Sequence, residues 1–157
     1  MKKLTTLILA LICANMLLAD NDPNEIPADF TVGGVGYKYN VGNPTEVTVH
    51  NRDANSLPAN LVIPATVTNN GTTYNVTSIG FKAFNNCNSL ISVSIPSSVT
   101  TIENNAFLAC GSLTTITISE GVTFIDHGAF SGCHDLTSIS IPNSVTTIGH
   151  SVFKDCI

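Results

Sequence analysis

Apolar and polar positions in the second half of the chain recur with a period of 23 residues. Four segments that begin at residues 76, 99, 122 and 145 align without a gap. Within each segment an isoleucine, a phenylalanine and a cysteine keep fixed places: Ile79, Ile102, Ile125 and Ile148; Phe84, Phe107, Phe130 and Phe153; Cys87, Cys110, Cys133 and Cys156. Such self-similarity predicts one structural unit per period, stacked so that equivalent side chains meet.

Each period contains one stretch that is typical of a β-strand. Three stretches read L-x-x-[IV]-x-I, namely residues 90–95, 113–118 and 136–141. In the first of them, alternation places Val93 and Ile95 inward and the serines between them outward. Pro96 follows directly, and proline cannot donate to a strand ladder, so the strand should end there. The following A-F-x-x-C part predicts a short helical turn or an irregular bend with Phe inside.

Residues 20–75 do not follow the period, but they are also rich in strand signals. Residues 30–32, 35–39 and 46–50 favour strands, with a turn at Gly33-Gly34. Residues 61–69 and 72–78 flank Asn70-Gly71, which is a strong hairpin signal. We expect this hairpin to cover the edge of the first coil, which would otherwise pair with other chains.

A 23-residue period falls in the range of leucine-rich repeats. We therefore predict a β-rich leucine-rich-repeat solenoid with right-handed, 23-residue coils, short helical or irregular convex segments and an N-terminal β-hairpin cap. The repeat stops before the strand that should follow Cys156. Two explanations are open: the chain is a fragment of a longer array, or a partner covers the last coil, with end-to-end self-association as one form of this.

The first residues are typical of a secretory signal peptide. Lys2 and Lys3 precede an apolar run over residues 4–18, and cleavage is expected after Ala19. A retained membrane anchor or lipidation at Cys13 are the alternatives, and the run is short for a bilayer span. The predicted organisation is a signal peptide at 1–19, a flexible leader at 20–29, a β cap region at 30–75 and repeats at 76–157, the last incomplete.

Charge excludes two classes of partner. Without Lys2 and Lys3 the mature chain keeps four basic against eleven acidic residues, a net charge of −7. Nucleic-acid binding needs basic side chains that neutralise phosphates, so it is not expected. An acidic chain is also a poor ligand for anionic membranes, and no membrane insertion of the mature chain is predicted.

The repeat pattern V-x-x-I-x-x-x-A-F-x-x-C-x-x-L-x-x-[IV]-x-I-P resembles the BspA-like leucine-rich-repeat family. The residues that carry the resemblance in one coil are Val99, Ile102, Ala106, Phe107, Cys110, Leu113, Ile116 and Ile118. It extends over residues 61–80 and, more weakly, back to Phe30. The resemblance implies a surface or secreted protein involved in adhesion, with no catalytic residues. Ser119 in place of the strand-ending proline and Val152 in place of alanine depart from the pattern.

The four repeat cysteines form one column and leave three interpretations open. Buried free thiols are favoured, because buried cysteine packs as a small apolar residue and parallel Cβ vectors on stacked coils are poorly aimed for bridging. One or two disulfides remain an alternative in an oxidising compartment. A metal or reactive thiol is the least favoured, because no C-x-x-C spacing occurs.

Two further patterns are weaker still. His127 and His150 share one repeat position, with Asp126 and Glu103 nearby, which suggests either a weak surface metal site or, preferably, solvated loop residues. The stretch from Gly33 to Gly36 lacks the Lys-Ser/Thr and the helix that a phosphate-binding loop requires. No catalytic residue, metal or cofactor is predicted.

The outward strand positions are the candidate binding face. They carry short hydroxyl side chains in register: Ser92, Ser94, Thr114, Thr115, Thr117, Thr137, Ser138 and Ser140. Small hydroxyls on a rigid sheet form hydrogen bonds at little entropic cost. The same residues also simply suit exposed strand positions.

Three functions follow from this scaffold. The leading one is an exported cell-surface or secreted adhesion module, without catalysis, whose partner is an extracellular host or cell-surface protein. A carbohydrate- or ice-binding Ser/Thr face is the second, although that face lacks aromatic side chains. An accessory repeat segment of a longer exported enzyme is the third.

Overall fold

A computed structural model describes residues 28–51 and 57–156 of the chain. The predicted signal peptide and nearly all of the predicted leader lie outside these residues. Across the two ranges the regular structure is entirely β, with eleven strands and no helix. The described part of the chain therefore contains no helix long and apolar enough to cross a membrane.

The strands are short, and they are numbered in chain order. They are β1 Phe30–Val32, β2 Val35–Tyr39, β3 Glu46–Val49, β4 Asn60–Val62, β5 Thr66–Asn69, β6 Thr72–Ile79, β7 Ser92–Ile95, β8 Thr101–Ile102, β9 Thr115–Ile118, β10 Phe124–Ile125 and β11 Thr147–Ile148.

The strands form two sheets. The larger has eight strands in the order β1-β2-β3-β6-β8-β10-β11, with β5 paired to β6, and the smaller has the order β4-β7-β9. Paired residues of successive repeat strands lie 23 positions apart, for example Ser92 with Thr115 and Ile102 with Ile125. The sequence period is thus the advance from one strand to its parallel neighbour, as a stack of coils requires.

One ring per coil fills the interior. The ring centroids of neighbouring phenylalanines are 5.0 Å apart for Phe84 and Phe107, 5.4 Å for Phe107 and Phe130, and 5.8 Å for Phe130 and Phe153. The first three rings are completely buried. The predicted interior column of phenylalanines is confirmed.

The V-x-x-I part of each coil turns two consecutive side chains outward. In β6, Val76 and Ile79 are fully buried, and the pairing register with β3 shifts between them. Such a bulge adds one unpaired residue and re-aims side chains. Thr77 and Ser78 therefore both point away from the phenylalanine column, although Ser78 is only 9% exposed and bonds to Glu103, and Thr100 with Thr101 occupies the equivalent positions in the next coil.

The segment that was expected to be a helical turn or an irregular bend is irregular. Its N–H groups alternate between two kinds of partner. Ala106, Leu108 and Cys110 donate to the carbonyl three residues earlier, whereas Asn105, Phe107 and Ala109 donate to the next coil, at His127, Ala129 and Ser131. The segment thus satisfies its backbone groups without a helix, partly from its own turns and partly from the neighbouring coil.

Left-handed backbone at two fixed places per coil makes this alternation possible. Positive φ angles recur every 23 residues in two series: Lys82, Asn105, Gly128 and Ser151; Asn86, Ala109, Gly132 and Asp155. A left-handed residue reverses the chain direction between turns, so no run of right-handed residues is long enough for a helix. Only two of the eight positions are glycine, which is why the sequence carries little signal for them.

The three predicted N-terminal strands are present as β1, β2 and β3, although β3 ends at Val49 rather than at residue 50. The Asn70-Gly71 hairpin is also present, between β5 and β6, and both turn residues have positive φ. The predicted extent of its first strand is wrong. Asn60–Val62 forms β4 and pairs in parallel with β7 in the smaller sheet, because Pro64 separates it from the hairpin.

The third predicted repeat strand, at residues 136–141, is not formed. Its apolar side chains still point toward the core, since Leu136 is buried and Ile139 and Ile141 are half-buried. β7 lies between β4 and β9, whereas residues 136–141 have no described coil on their outer side. A strand pairs through its backbone, so the outermost segment loses regular geometry first.

Candidate functional site

The outward face of the smaller sheet contains half of the predicted binding residues on regular strands. Ser92 and Ser94 lie on β7, and Thr115 and Thr117 lie opposite them on β9. The β4 residues Asn60 and Val62 extend the same rows, because they pair with Ser92 and Ser94. All outward positions of the three strands are uncharged.

Two of the predicted hydroxyls are engaged within the protein. The Ser92 hydroxyl donates to Asn60 Oδ1 at 2.7 Å, and the Thr114 hydroxyl donates to the Ile91 carbonyl at 3.1 Å. Among the described residues, the side chains of Ser94, Thr115 and Thr117 make no hydrogen bond. These three hydroxyls are the groups of the strand face that are available to a ligand.

The remaining predicted residues, Thr137, Ser138 and Ser140, are exposed but lie outside any strand. They follow β9 in the order of the coils. No strand pairing holds them in register with β9, however, as it does for β7. The rigid part of the predicted face therefore comprises β4, β7 and β9.

The cysteine column is a hydrogen-bonded feature of the core. Cys110 Sγ donates to the Phe84 carbonyl at 2.9 Å, and Cys133 Sγ and Cys156 Sγ donate to the carbonyls of Phe107 and Phe130, both at 3.2 Å. Each of these three thiols thus ties one coil to the coil before it, whereas Cys87 Sγ contacts the Asn85 carbonyl in its own coil. Cys87, Cys110, Cys133 and Cys156 are free, as the favoured interpretation of the sequence expects.

Two of these thiols, Cys110 and Cys156, are shifted toward the neutral form, whereas the hydrogen bond with the Cys110 side chain lowers the pKa of the Cys133 thiol. The contact with the Cys133 side chain, together with burial, raises the pKa of the Cys110 thiol. Burial raises the pKa of Cys156 as well. Only a neutral S–H can donate to a carbonyl oxygen. These hydrogen bonds therefore disfavour the thiolate, which is the nucleophilic form of cysteine.

His127 and His150 do lie side by side, with ring centroids 5.0 Å apart. His127 Nδ1 contacts Asp126 Oδ1, and the hydrogen bonds from His127 outweigh the opposing effect of burial and lower the pKa of that carboxyl. Glu103 is directed elsewhere, toward Ser78 and Phe81. Within the described ranges no group of three or more His, Cys, Asp or Glu side chains is placed to hold a metal ion.

The larger sheet carries a groove that the sequence did not indicate. It is an open cavity of about 700 Å³ between the β2–β3 connection and the first coils. Gly80 lines it, at the repeat position where the next two coils have Glu103 and Asp126 and the last has Gly149. A Cβ on Gly80 would lie 2.7 Å from the Val49 carbonyl oxygen, so only glycine allows this close approach of β3 and β6.

Hydrogen bonds order the polar wall of the groove. The Thr48 hydroxyl donates to Asn40 Oδ1 at 2.7 Å, Asn40 Nδ2 donates to the Thr77 hydroxyl at 3.1 Å, and that hydroxyl donates to Glu46 Oε2 at 3.3 Å. A chain of this kind fixes each side chain through its neighbour. The repeat spacing alone does not reveal it, because three of its four members lie outside the periodic region.

A second carboxylate closes the other side. Glu103 Oε1 accepts from the Ser78 hydroxyl at 2.8 Å, and Glu103 Oε2 accepts from the Phe81 N–H at 2.9 Å. The aromatic rings of Tyr39 and Phe81 line the same cavity and are 41% and 44% exposed. The groove thus combines fixed acceptors with open aromatic surface.

Parallel coils, an interior phenylalanine column and a strand face in register define the class of the protein: it is a leucine-rich-repeat protein. More particularly, the chain belongs to the family of BspA type leucine rich repeat regions, whose model matches six copies over residues 63–157. The resemblance that the repeat pattern indicates is confirmed.

Solved structures of related chains agree with this assignment. A leucine-rich repeat protein from Bacteroides ovatus has a TM-score of 0.75 and 34% identity over 82% of this chain and 33% of its own. One from Bacteroides capillosus has a TM-score of 0.71 and 35% identity over 76% of this chain and 86% of its own. A leucine rich cell surface protein from Faecalibacterium prausnitzii has a TM-score of 0.62 and 28% identity, over 84% of this chain and 41% of its own.

The chain therefore spans about a third of the length of the Bacteroides ovatus protein and most of that of the Bacteroides capillosus protein. No curated protein matches the sequence. The comparisons define a family of repeat scaffolds and a surface-protein relative, and they name no ligand.

Proposed function

We propose that this chain is an exported, non-enzymatic protein-binding module that acts in adhesion at a cell surface or in secreted form. The partner is an extracellular host or cell-surface protein. One observation carries the proposal: the smaller sheet presents an uncharged face in which the hydroxyls of Ser94, Thr115 and Thr117 have no partner among the described residues. The cell-surface description of the Faecalibacterium prausnitzii relative supports the location.

The face suits a protein partner for physical reasons. Hydrogen-bonding groups on a sheet are already ordered, so a partner loses little affinity to the immobilisation of loops. Val62 and Ile91 are exposed on or beside the same face and add apolar surface. Apolar anchors surrounded by neutral polar groups are typical of the centre of an interface.

Thr115→Lys is expected to weaken capture of the partner by about tenfold or more, because it buries an unpaired charge in the interface. Thr115→Val removes only the hydroxyl and should have a smaller effect in the same direction. The measurement is retention of purified extracellular-matrix and cell-surface proteins on the immobilised chain. Asn143→Lys, an exposed substitution away from the face, is the matched control.

Equal retention by the wild-type chain and both Thr115 variants would assign binding to another surface. No retained protein at micromolar concentration would contradict the proposal as a whole.

We also propose the handedness of the solenoid and the part of the chain that caps its N-terminal end. We propose right-handed coils, since parallel strands joined by crossovers almost always have that hand. β1, β2 and β3 would act with the β5–β6 hairpin as the N-terminal cap. The pairing of β3 with β6 supports this, because it covers the backbone edge of the first repeat strand in the larger sheet.

The opposite end supports self-association as a further mode of contact. The side chain of Ile148 is 48% exposed, whereas its repeat equivalents Ile102 and Ile125 are fully buried. The N–H groups of Ser151 and Phe153 have no described coil to donate to, unlike their equivalents in earlier coils. These groups and the exposed isoleucine form an edge that a second copy could cover.

Ile148→Lys is therefore expected to shift the chain to monomer at concentrations where the wild type associates, because it places a charge on that apolar edge. Sedimentation velocity measures the effect, with Ile91→Lys on the other sheet as control. A monomeric wild type across the micromolar range, or association that survives Ile148→Lys, contradicts this mode.

A further inference from the structure

The groove on the larger sheet is distinct from the hydroxyl face, and its volume is that of a small-molecule site. Ligand pockets typically enclose about 300–1,000 Å³, and this cavity measures about 700 Å³. It is open to solvent, and Gly80 is one of its lining residues. Its wall residues come from the non-repeating strands on one side and from the first coils on the other.

Electrostatics restrict the ligand. Glu46 and Glu103 line the groove, and no described cationic side chain forms an ion pair with either of them. An anionic ligand would meet both carboxylates at short range. A cationic ligand would meet the ammonium group of Lys38, which lines the same groove. Charges of both signs favour a neutral ligand.

Hydrogen bonding restricts it further. Each carboxylate oxygen has two acceptor sites, and each oxygen of Glu103 accepts one hydrogen bond from the described residues. Glu46 Oε1 makes none among the described residues, and neither does the Lys38 ammonium or the Thr101 hydroxyl. The groove thus presents acceptors and donors together, which suits a ligand that has many hydroxyl groups.

The aromatic rings supply the apolar part. Tyr39 is held by Phe30 and Tyr74, with ring centroids 5.2 Å away in both cases, and its hydroxyl accepts from Asn69 Nδ2 at 2.9 Å. An exposed ring in a fixed orientation offers a flat apolar surface to the C–H face of a sugar. Phe81 offers a second exposed ring on the Glu103 side, and Lys82 Nζ lies 5.2 Å from the centre of that ring.

We propose that this groove binds a neutral saccharide, with sugar hydroxyls on Glu46, Glu103 and Lys38 and a pyranose face against Tyr39 or Phe81. The site differs from the Ser/Thr face in both position and chemistry. It also does not depend on the protein-binding function, so either proposal can fail alone.

The test is a titration of the protein with neutral disaccharides, namely maltose, cellobiose and lactose, at up to about 10 mM, a range suited to weak sites. Saturation-transfer NMR detects binding, and chemical shifts of Gly80, Phe81 and Thr101 locate it. At least one sugar is expected to bind and to move these signals, with Thr115 unchanged.

Three variants examine the contacts. Glu46→Gln, Glu103→Gln and Phe81→Ala are each expected to raise the dissociation constant about tenfold, through loss of a charged acceptor or of a ring. Asp135→Asn and Ile91→Ala are matched controls, since they remove an exposed carboxylate and an exposed apolar side chain elsewhere, and should leave affinity within about twofold. Thermal unfolding verifies that each variant is folded.

Absence of binding by all three sugars, or binding that Glu46→Gln and Phe81→Ala leave unchanged, overturns the proposal. A blocked Gly-Arg-Gly peptide that binds in the groove while the sugars do not would overturn it in favour of a cationic peptide. Because Glu103→Gln also alters the contact with the Phe81 backbone, the Glu46 variant decides the outcome if Glu103→Gln is unstable.

Discussion

Phe107→Ala is expected to lower the free energy of unfolding by about 3–5 kcal/mol. Phe107 is fully buried, and its ring stacks between Phe84 and Phe130 at 5.0 and 5.4 Å. Truncation removes apolar surface from the core and leaves a cavity between two coils. The coils on either side are tied by inter-coil hydrogen bonds, so they cannot close the gap.

Chemical denaturation of the purified chain measures this loss. Phe153→Ala is an internal comparison, because Phe153 is half-buried and, among the described residues, stacks on Phe130 alone. It should cost clearly less than Phe107→Ala. Ile91→Ala, at a position 47% exposed on the smaller sheet, should change stability by less than about 0.5 kcal/mol. Equal losses at the two phenylalanines would contradict the stacked-coil account of stability.

Gly121→Ala is expected to cost about 2–4 kcal/mol, through backbone strain and steric overlap together. Gly121 has a φ of 131°, a conformation that side chains with a Cβ rarely adopt. A Cβ there would also overlap the carbonyl oxygen of Ser97 in the preceding coil. The repeat alignment alone does not indicate this, because the equivalent residues are Ser98 and Ser144.

Gly42→Ala separates the two causes. Gly42 also has a positive φ, 88°, but nothing lies within 4 Å of an added Cβ. It should therefore report backbone strain alone, about 1 kcal/mol. Denaturation midpoints of the two variants give the difference due to contact with Ser97. If Gly121→Ala costs no more than Gly42→Ala, the close approach of these coils is not rigid.

The periodic part of the fold could be predicted from sequence because each inward residue repeats. The phenylalanine column and the first two repeat strands follow from spacing alone. The third repeat strand could not be predicted reliably, since strand geometry at residues 136–141 depends on a neighbouring coil and not only on the pattern. The separation of β4 from the hairpin depends on Pro64. It also depends on the edge of β7, which is available for pairing with β4 in the smaller sheet.

The groove was missed for a related reason. Its members Asn40, Glu46 and Thr48 belong to the non-repeating part of the chain, and they are brought near Glu103 through the parallel pairing of β3 with β6 and of β6 with β8. A usable signal did exist. Gly80 and Gly149 occupy the repeat position at which the two middle coils have Glu103 and Asp126, and a glycine within a strand region marks a place where backbones approach closely.

The two positions between valine and isoleucine in the V-x-x-I part of each coil have a wider consequence. Two adjacent side chains point away from the core at this place, while the valine before them and the isoleucine after them point into it. Substitution at the two outer positions therefore leaves the interior packing intact. Relatives with the same backbone are free to differ in what they recognise, so kinship within this family fixes the architecture of a chain before it fixes its ligand.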